Sequence, residues 1–130
     1  MVVFDTEVLL IFYLGEGGSS IVEELLEQVR NRSLTGYLNI VNLTEFYYIL
    51  YRRDPRVAEE KVRNLRAFGL EIVPLTDNAL WREAGRLKGE YALSLADACA
   101  AATAVLKGDR LVVGRDEEFD QLGISLIKVR

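Results

Sequence analysis

Short apolar runs alternate with longer amphipathic stretches along the chain, and glycine, proline and capping residues separate them. Val2-Val3-Phe4 predicts a buried strand ending at Asp5, and Glu7 to Leu14 an apolar helix stopped by Gly15-Glu16-Gly17-Gly18. A second helix opens at Ser19 or Ser20, with Ile21, Val22, Leu25, Leu26 and Val29 on the helical period. Leu38-Asn39-Ile40-Val41 predicts the second strand, followed by a helix from about Leu43 to Tyr51. Asp54-Pro55, a cap followed by proline at the first helical position, starts a helix that runs to Phe68 with Gly69 beyond it. Glu71-Ile72-Val73-Pro74 predicts a strand. Thr76 caps the next helix, which ends near Lys88-Gly89, and Ser94 opens another that runs to Lys107-Gly108. Arg110 to Val113 predicts a strand, Asp116 to Leu122 a short helix, and Ser125 to Lys128 a last strand.

Strands that alternate with helices, with no hairpin signal, imply a parallel, doubly wound sheet covered on both faces. The expected fold class is therefore α/β, a three-layer α/β/α arrangement around a central parallel sheet of four to five strands. Helices outnumber strands, so some must pair as a helical arm. The 130 residues carry no repeat, low-complexity tract or linker, which predicts one domain over the whole chain.

Composition removes several chemistries. With no histidine and one cysteine, Ser-His-Asp hydrolysis, paired-histidine ribonuclease chemistry and Cys/His zinc sites drop out. Cys99 sits in Ala96-Asp97-Ala98-Cys99-Ala100-Ala101-Ala102 and reads as a small core residue. What remains is carboxylate chemistry. The net charge of −4 argues against a protein that coats nucleic acid, but not against a nuclease, since clustered acids lower the tally and their cations do not enter it. No basic leader precedes Val8 to Leu14 and no apolar run is long enough to span a bilayer, so the expected location is cytoplasmic.

In open parallel sheets, sites form in the crevice beyond the C-terminal strand ends. Asp5 ends the first strand, Glu45 lies one turn into the helix after the second, Asp97 is in the first turn of the helix opened by Ser94, and Asp116 follows the fourth strand. Close carboxylates repel one another or take up protons unless a cation shares them. A hard ion such as Mg²⁺, which prefers oxygen ligands and keeps several waters, suits such a ring. The same positions also fit plain helix capping, because Asn42-x-x-Glu45 and Ser94-x-x-Asp97 match the capping pattern and Asp116 is placed as an N-cap. Asp54 and Asp77 are assigned to capping alone.

Val3-Phe4-Asp5-Thr6, Asn42-Leu43-Thr44-Glu45-Phe46, Ser94-Leu95-Ala96-Asp97-Ala98 and Arg115-Asp116-Glu117-Glu118-Phe119 come in the order of the PIN domains, and the chain resembles that family from Val2 to Lys128. It looks most like the toxin ribonucleases of VapBC toxin–antitoxin pairs. The resemblance implies a Mg²⁺- or Mn²⁺-dependent endoribonuclease acting on RNA, an antitoxin that wraps it and blocks the crevice, and a homodimer. It also implies that Asp5, Glu45, Asp97 and Asp116 are the family's four acids. Two positions depart from the pattern: Gly114 stands where Thr or Ser usually precedes the last acid by two residues, and Glu7 where Ser or Asn often follows Asp-Thr. Glu118 and Asp120 are nearby acids, either additional ligands or a solvated helix face. A PIN domain that has lost catalysis and serves as a binding module is the alternative that Gly114 favours. A nuclease acting on DNA or on RNA ends is a second, and an aspartyl phosphatase a third that lacks its Asp-x-Asp signature.

Basic residues gather from Arg52 to Arg66, where Arg56 with Glu60 and Glu59 with Arg63 have the spacing of a salt-bridged exposed face. Arg52 and Arg53, without intervening acids, are the candidates for contacting an RNA backbone. Phe46-Tyr47-Tyr48-Ile49-Leu50-Tyr51 is apolar around its circumference, which predicts either an enclosed core helix or, with Val8 to Leu14, a partner surface.

Overall fold

The computed structural model describes residues 1–114 and 117–130. All strand pairing is parallel, and the five strands lie in the order β3-β2-β1-β4-β5. Along the chain the elements are β1 (Val2–Phe4), α1 (Thr6–Leu14), α2 (Ser19–Arg30), β2 (Gly36–Asn39), α3 (Ile40–Arg53) and α4 (Pro55–Ala67). They continue with β3 (Glu71–Val73), α5 (Asn78–Glu90), α6 (Leu95–Leu106), β4 (Arg110–Val113), a 3₁₀ turn (Glu117–Leu122) and β5 (Ser125–Lys128). The expected three-layer α/β/α class is the observed one.

Side chains that alternate along a strand serve opposite layers. Val2 and Phe4 join Val8, Leu9, Val22, Leu26, Phe46, Leu50 and Leu65 in the core under α1 to α4, whereas Val3 joins Leu80, Leu87, Leu111 and Val113 in the core under α5 and α6. In α6 the buried alanines Ala98, Ala100, Ala101, Ala102 and Ala104, with Cys99, are small enough for the helix to touch β1, β2 and β4 at once. The helical arm is the antiparallel pair α3 and α4, joined at Asp54, whose carboxylate accepts from the Arg56 amide as the proline-led start predicts.

Three expectations need correction. The second strand ends at Asn39, not Val41, because the Asn39 side chain caps α3 by accepting from the Val41 amide, so strand passes into helix without a loop. Thr76 does not cap α5; Asp77 does, accepting from the amides of Ala79 and Leu80. The stretch from Phe46 to Tyr51 is not enclosed: Phe46 and Leu50 are buried, while Tyr48 and Tyr51 project into solvent. On the arm, Glu59 accepts from the Tyr47 hydroxyl and Glu60 pairs with Lys61.

The early start of α3 also gives Asn42 a different task from the capping first read for it. It is fully buried, and its Nδ2 donates to Thr6 Oγ1 at 3.0 Å and to the Ala96 carbonyl at 3.1 Å, while Thr6 Oγ1 donates back to the Asn42 carbonyl at 3.4 Å. A second buried tie runs beside it, from Asn39 Nδ2 to Thr103 Oγ1 at 2.9 Å. Asn42→Ala removes both Nδ2 bonds and leaves a small buried void, while the Thr6 hydroxyl keeps its bond to the residue 42 backbone carbonyl; the change is expected to cost about 1–2 kcal/mol of unfolding free energy. Urea denaturation checks this; a loss within error of zero would show that these bonds do not tie the three helices.

Candidate active site

From β1 the chain builds outward to β2 and β3, then crosses to the other side of β1 to lay down β4 and β5. The strand order therefore reverses between β1 and β4, and the crevice beyond their C-terminal ends is where such folds bind ligands. Asp5 follows β1 directly, and its amide is still held in the sheet by the Val112 carbonyl at 3.1 Å. A crevice of about 210 Å³ opens there, lined by Asp5, Thr6, Glu7, Leu10, Glu45, Ile49 and Asp97. A second hollow of about 230 Å³ lies at the opposite ends of β2 and β3, lined by residues including Arg32, Gly36 and Glu71. Its lining has a single acid, Glu71, beside Arg32, and no cluster of carboxylates.

Each acid arrives by its own route. Asp5 occupies the cap position of α1, yet its carboxylate makes no capping bond to the helix. Glu45 lies one turn beyond Asn42 on α3 and reaches the crevice with Ile49, one further turn along the same face. Asp97 is in the first turn of α6, where Ser94 Oγ accepts from its amide at 3.1 Å, so the cap and the crevice share one helix start. Asp116 lies outside the described residues. Glu118 and Asp120 are exposed on the 3₁₀ turn, Asp120 in a 2.7 Å ion pair with Lys128, and neither lines the crevice. Arg52 and Arg53 are exposed in the last turn of α3, Arg52 stacked over the Tyr48 ring.

Asp5 dominates the electrostatics. Burial, then the nearby charge of Asp97, with smaller contributions from Glu45 and Glu7, hold its carboxyl well above the usual carboxylate range, and the Thr6 amide offsets only part of this. Among the described residues its Oδ1 is a buried oxygen with no hydrogen-bond donor. A desolvated acceptor facing further carboxylates is costly for the protein alone and suited to a cation. The described residues hold no ready-made cluster of three acidic, histidine or cysteine ligands. Carboxylate donors with no histidine or thiol among them suit a hard, oxygen-preferring divalent cation. Asn42, Thr6 and Glu7 are the site residues that pattern reading missed as such; the Asn39-x-x-Asn42 spacing, with two amides on one face of an otherwise apolar helix, was the available signal.

A raised carboxyl pKa means that the folded state binds the proton more tightly than the unfolded chain does. Stability contributed by Asp5 is then fully present below its unfolded pKa of about 3.9 and is lost as pH rises through the folded value. In metal-free protein, Asp5→Asn should therefore raise the melting temperature at neutral pH, by about 4 °C for each ~1 kcal/mol relieved, and leave it nearly unchanged at acidic pH. Thermal melts in chelator across pH check this, and a lower melting temperature at neutral pH would assign the carboxylate a stabilising role.

The PIN domain family model matches residues 2–124. No curated protein matches the chain significantly. Among solved structures, the fold is similar to a toxin–antitoxin complex from Klebsiella pneumoniae at 17% identity and a TM-score of 0.76, covering 100% of this chain and 98% of that one. It is similar to VapBC2 from Rickettsia felis bound to a promoter DNA fragment, at 17% identity and a TM-score of 0.76, with 98% of each chain covered. FitAcB from Neisseria gonorrhoeae aligns at 19% identity with a TM-score of 0.72, over 99% of this chain and 98% of that one. At these identities the structures speak to the fold, while the family model spans nearly every element around the crevice: the chain belongs to the PIN domain family.

Proposed function

We propose that this PIN domain is a divalent-cation-dependent endoribonuclease, the toxin of a toxin–antitoxin pair. The observation that carries this is Asp5: a buried carboxylate with an undonated oxygen, set with Glu45 and Asp97 at the reversal point of the sheet. Asp5, Glu45 and Asp97 would hold Mg²⁺ or Mn²⁺, and Asp116 completes the acidic set that the sequence order supplies. Bound there, the ion supplies activation of water and neutralisation of charge for in-line displacement at phosphorus. The chain's own residues do the positioning. Thr6 and Asn42 fix the start of α1 against those of α3 and α6, while Leu10 and Ile49 give the crevice an apolar wall that limits bulk water. Arg52 and Arg53, about two helical turns beyond Glu45 on α3, would take the phosphates of an RNA strand entering the crevice.

The similar structures described above are a toxin–antitoxin complex, VapBC2 and FitAcB, and this supports the toxin reading. Exposed Leu14 on α1, Ile21 on α2 and Tyr48 and Tyr51 on α3 offer apolar surface for an antitoxin and for a second copy of the chain, giving a homodimer. No helix among the described residues is long and apolar enough to cross a membrane, and action on RNA in the cytoplasm is the setting proposed.

Purified, antitoxin-free protein should cut a mixed RNA pool with Mg²⁺ or Mn²⁺ and not with EDTA, and Asp97→Asn should lower the rate by on the order of 100-fold or more while remaining folded. Folded protein that cuts RNA with neither ion would overturn the nuclease assignment and leave the binding module. In the same assay, replacing Arg52 and Arg53 together by Ala should raise KM with little change in kcat, an effect that shrinks as salt rises. A loss confined to kcat would remove them from substrate binding.

A further inference from the structure

Gly114 follows β4, is buried, and does not have the positive φ that would demand glycine. What a side chain there would meet is Glu7: a Cβ on Gly114 would stand 2.5 Å from Glu7 Oε1, 2.6 Å from its Cδ and 2.9 Å from Oε2. The Glu7 carboxylate thus fills the space of the missing side chain. It also lines the crevice beside Asp5, and it adds to the negative field on that carboxyl. The two departures of this chain from its family's pattern are in contact.

Among the described residues, one cation lies near Glu7. Arg130 Nη1 lies 3.7 Å from Glu7 Oε1, beyond hydrogen-bond distance, and Arg130 divides its charge with Glu16, whose Oε2 is 3.5 Å from Nη2. The Glu7 side chain is 38% exposed, so water reaches it. It therefore faces an arginine shared with Glu16 on one side and, on the other, a crevice whose central carboxylate Asp5 has an oxygen without a donor.

We propose that Glu7 is an additional acidic group of the cation site: seated against Gly114, its carboxylate presents oxygen where a side chain at position 114 would otherwise present it, and holds the hydrated cation on the β4 side of the crevice. This rests on the divalent-cation assignment above. An outer ligand of this kind changes cation affinity by about 10- to 100-fold, and does so whether or not RNA is present.

The test is calorimetric titration of Mn²⁺ into the full chain, with folding of each variant confirmed by thermal melting. Glu7→Gln, which keeps the shape and removes the charge, should weaken binding by about tenfold or more. Gly114→Thr should weaken it too, by pushing the carboxylate out of its seat. Glu7→Ser combined with Gly114→Thr should bind no worse than Gly114→Thr alone, because both changes act on one oxygen position. Arg130→Gln should leave affinity unchanged or tighter. Glu7→Gln binding Mn²⁺ like the unmodified chain while Asp97→Asn does not would overturn the role of Glu7 and leave the cation site standing. Equal weakening by Arg130→Gln and Glu7→Gln would reduce Glu7 to a partner of Arg130, and also overturns it. Folded, unmodified protein that takes up no Mn²⁺ would overturn both assignments.

Discussion

The side-chain amide of Asn42 is the contact on which the site's geometry turns. It is wholly enclosed, and in such surroundings a donor left unmade costs about 1–3 kcal/mol, so a packing that gives its Nδ2 two acceptors is favoured, while its Oδ1 has no partner among the described residues. Its two bonds end on Thr6 and Ala96, the chain neighbours of Asp5 and Asp97, and Glu45 lies one turn further along its own helix. One amide thus sets the starts of α1, α3 and α6 relative to one another, and with them three acids drawn from distant parts of the chain. The parallel tie from Asn39 through Thr103 to the Cys99 carbonyl holds α3 against the body of α6.

Rigidity of this kind is what a cluster of like charges requires. Free carboxylates would swing apart or take up protons, and here the Asp5 carboxyl is held above its usual range by burial first and by the charge of Asp97 next, in groups that the fold keeps together. Two helix starts soften the conflict. Asp5 stands at the positive end of α1 and Asp97 in the first turn of α6, where the helix dipole favours negative charge by about 0.3–1 kcal/mol each. Capping and cation binding are therefore not rivals at these positions. The helix ends make it affordable to keep acids there, and the remaining field is available to an ion.

Much of this was legible in the sequence, because both the strands and the acids obey local rules. β1, β4 and β5 are apolar runs bounded by polar or glycine residues, and Asp5, Glu45 and Asp97 follow from asking which acids stand beyond strand ends. What was not legible depended on partners far along the chain. Leu38-Asn39-Ile40-Val41 looks like a strand until the Asn39 side chain is seen to cap a helix beginning at Ile40. Asn42 matched a local capping pattern with Glu45, but its real partners are 36 and 54 residues away. The tyrosines of α3 read as apolar on every face, although α4 covers one side and leaves Tyr48 and Tyr51 in water. Asp116, the fourth acid of the pattern, lies outside the described residues.

Gly114 and Glu7 show most sharply why residues read one at a time mislead. Along the chain they are separate irregularities, one removing a hydroxyl and the other adding a charge, and counted separately they weaken the case for a working site. Parallel pairing of β1 with β4 sets Phe4 opposite Val112, which brings the first turn of α1 alongside the end of β4 and puts the glutamate into the space above the glycine. The Glu7 carboxylate fills the volume that a side chain at 114 would take and brings oxygen to it. The smaller residue at one position permits the larger at the other. The carboxylate is fitted against the glycine in a crevice already crowded with negative charge, and that repulsion is what a cation seated there would relieve.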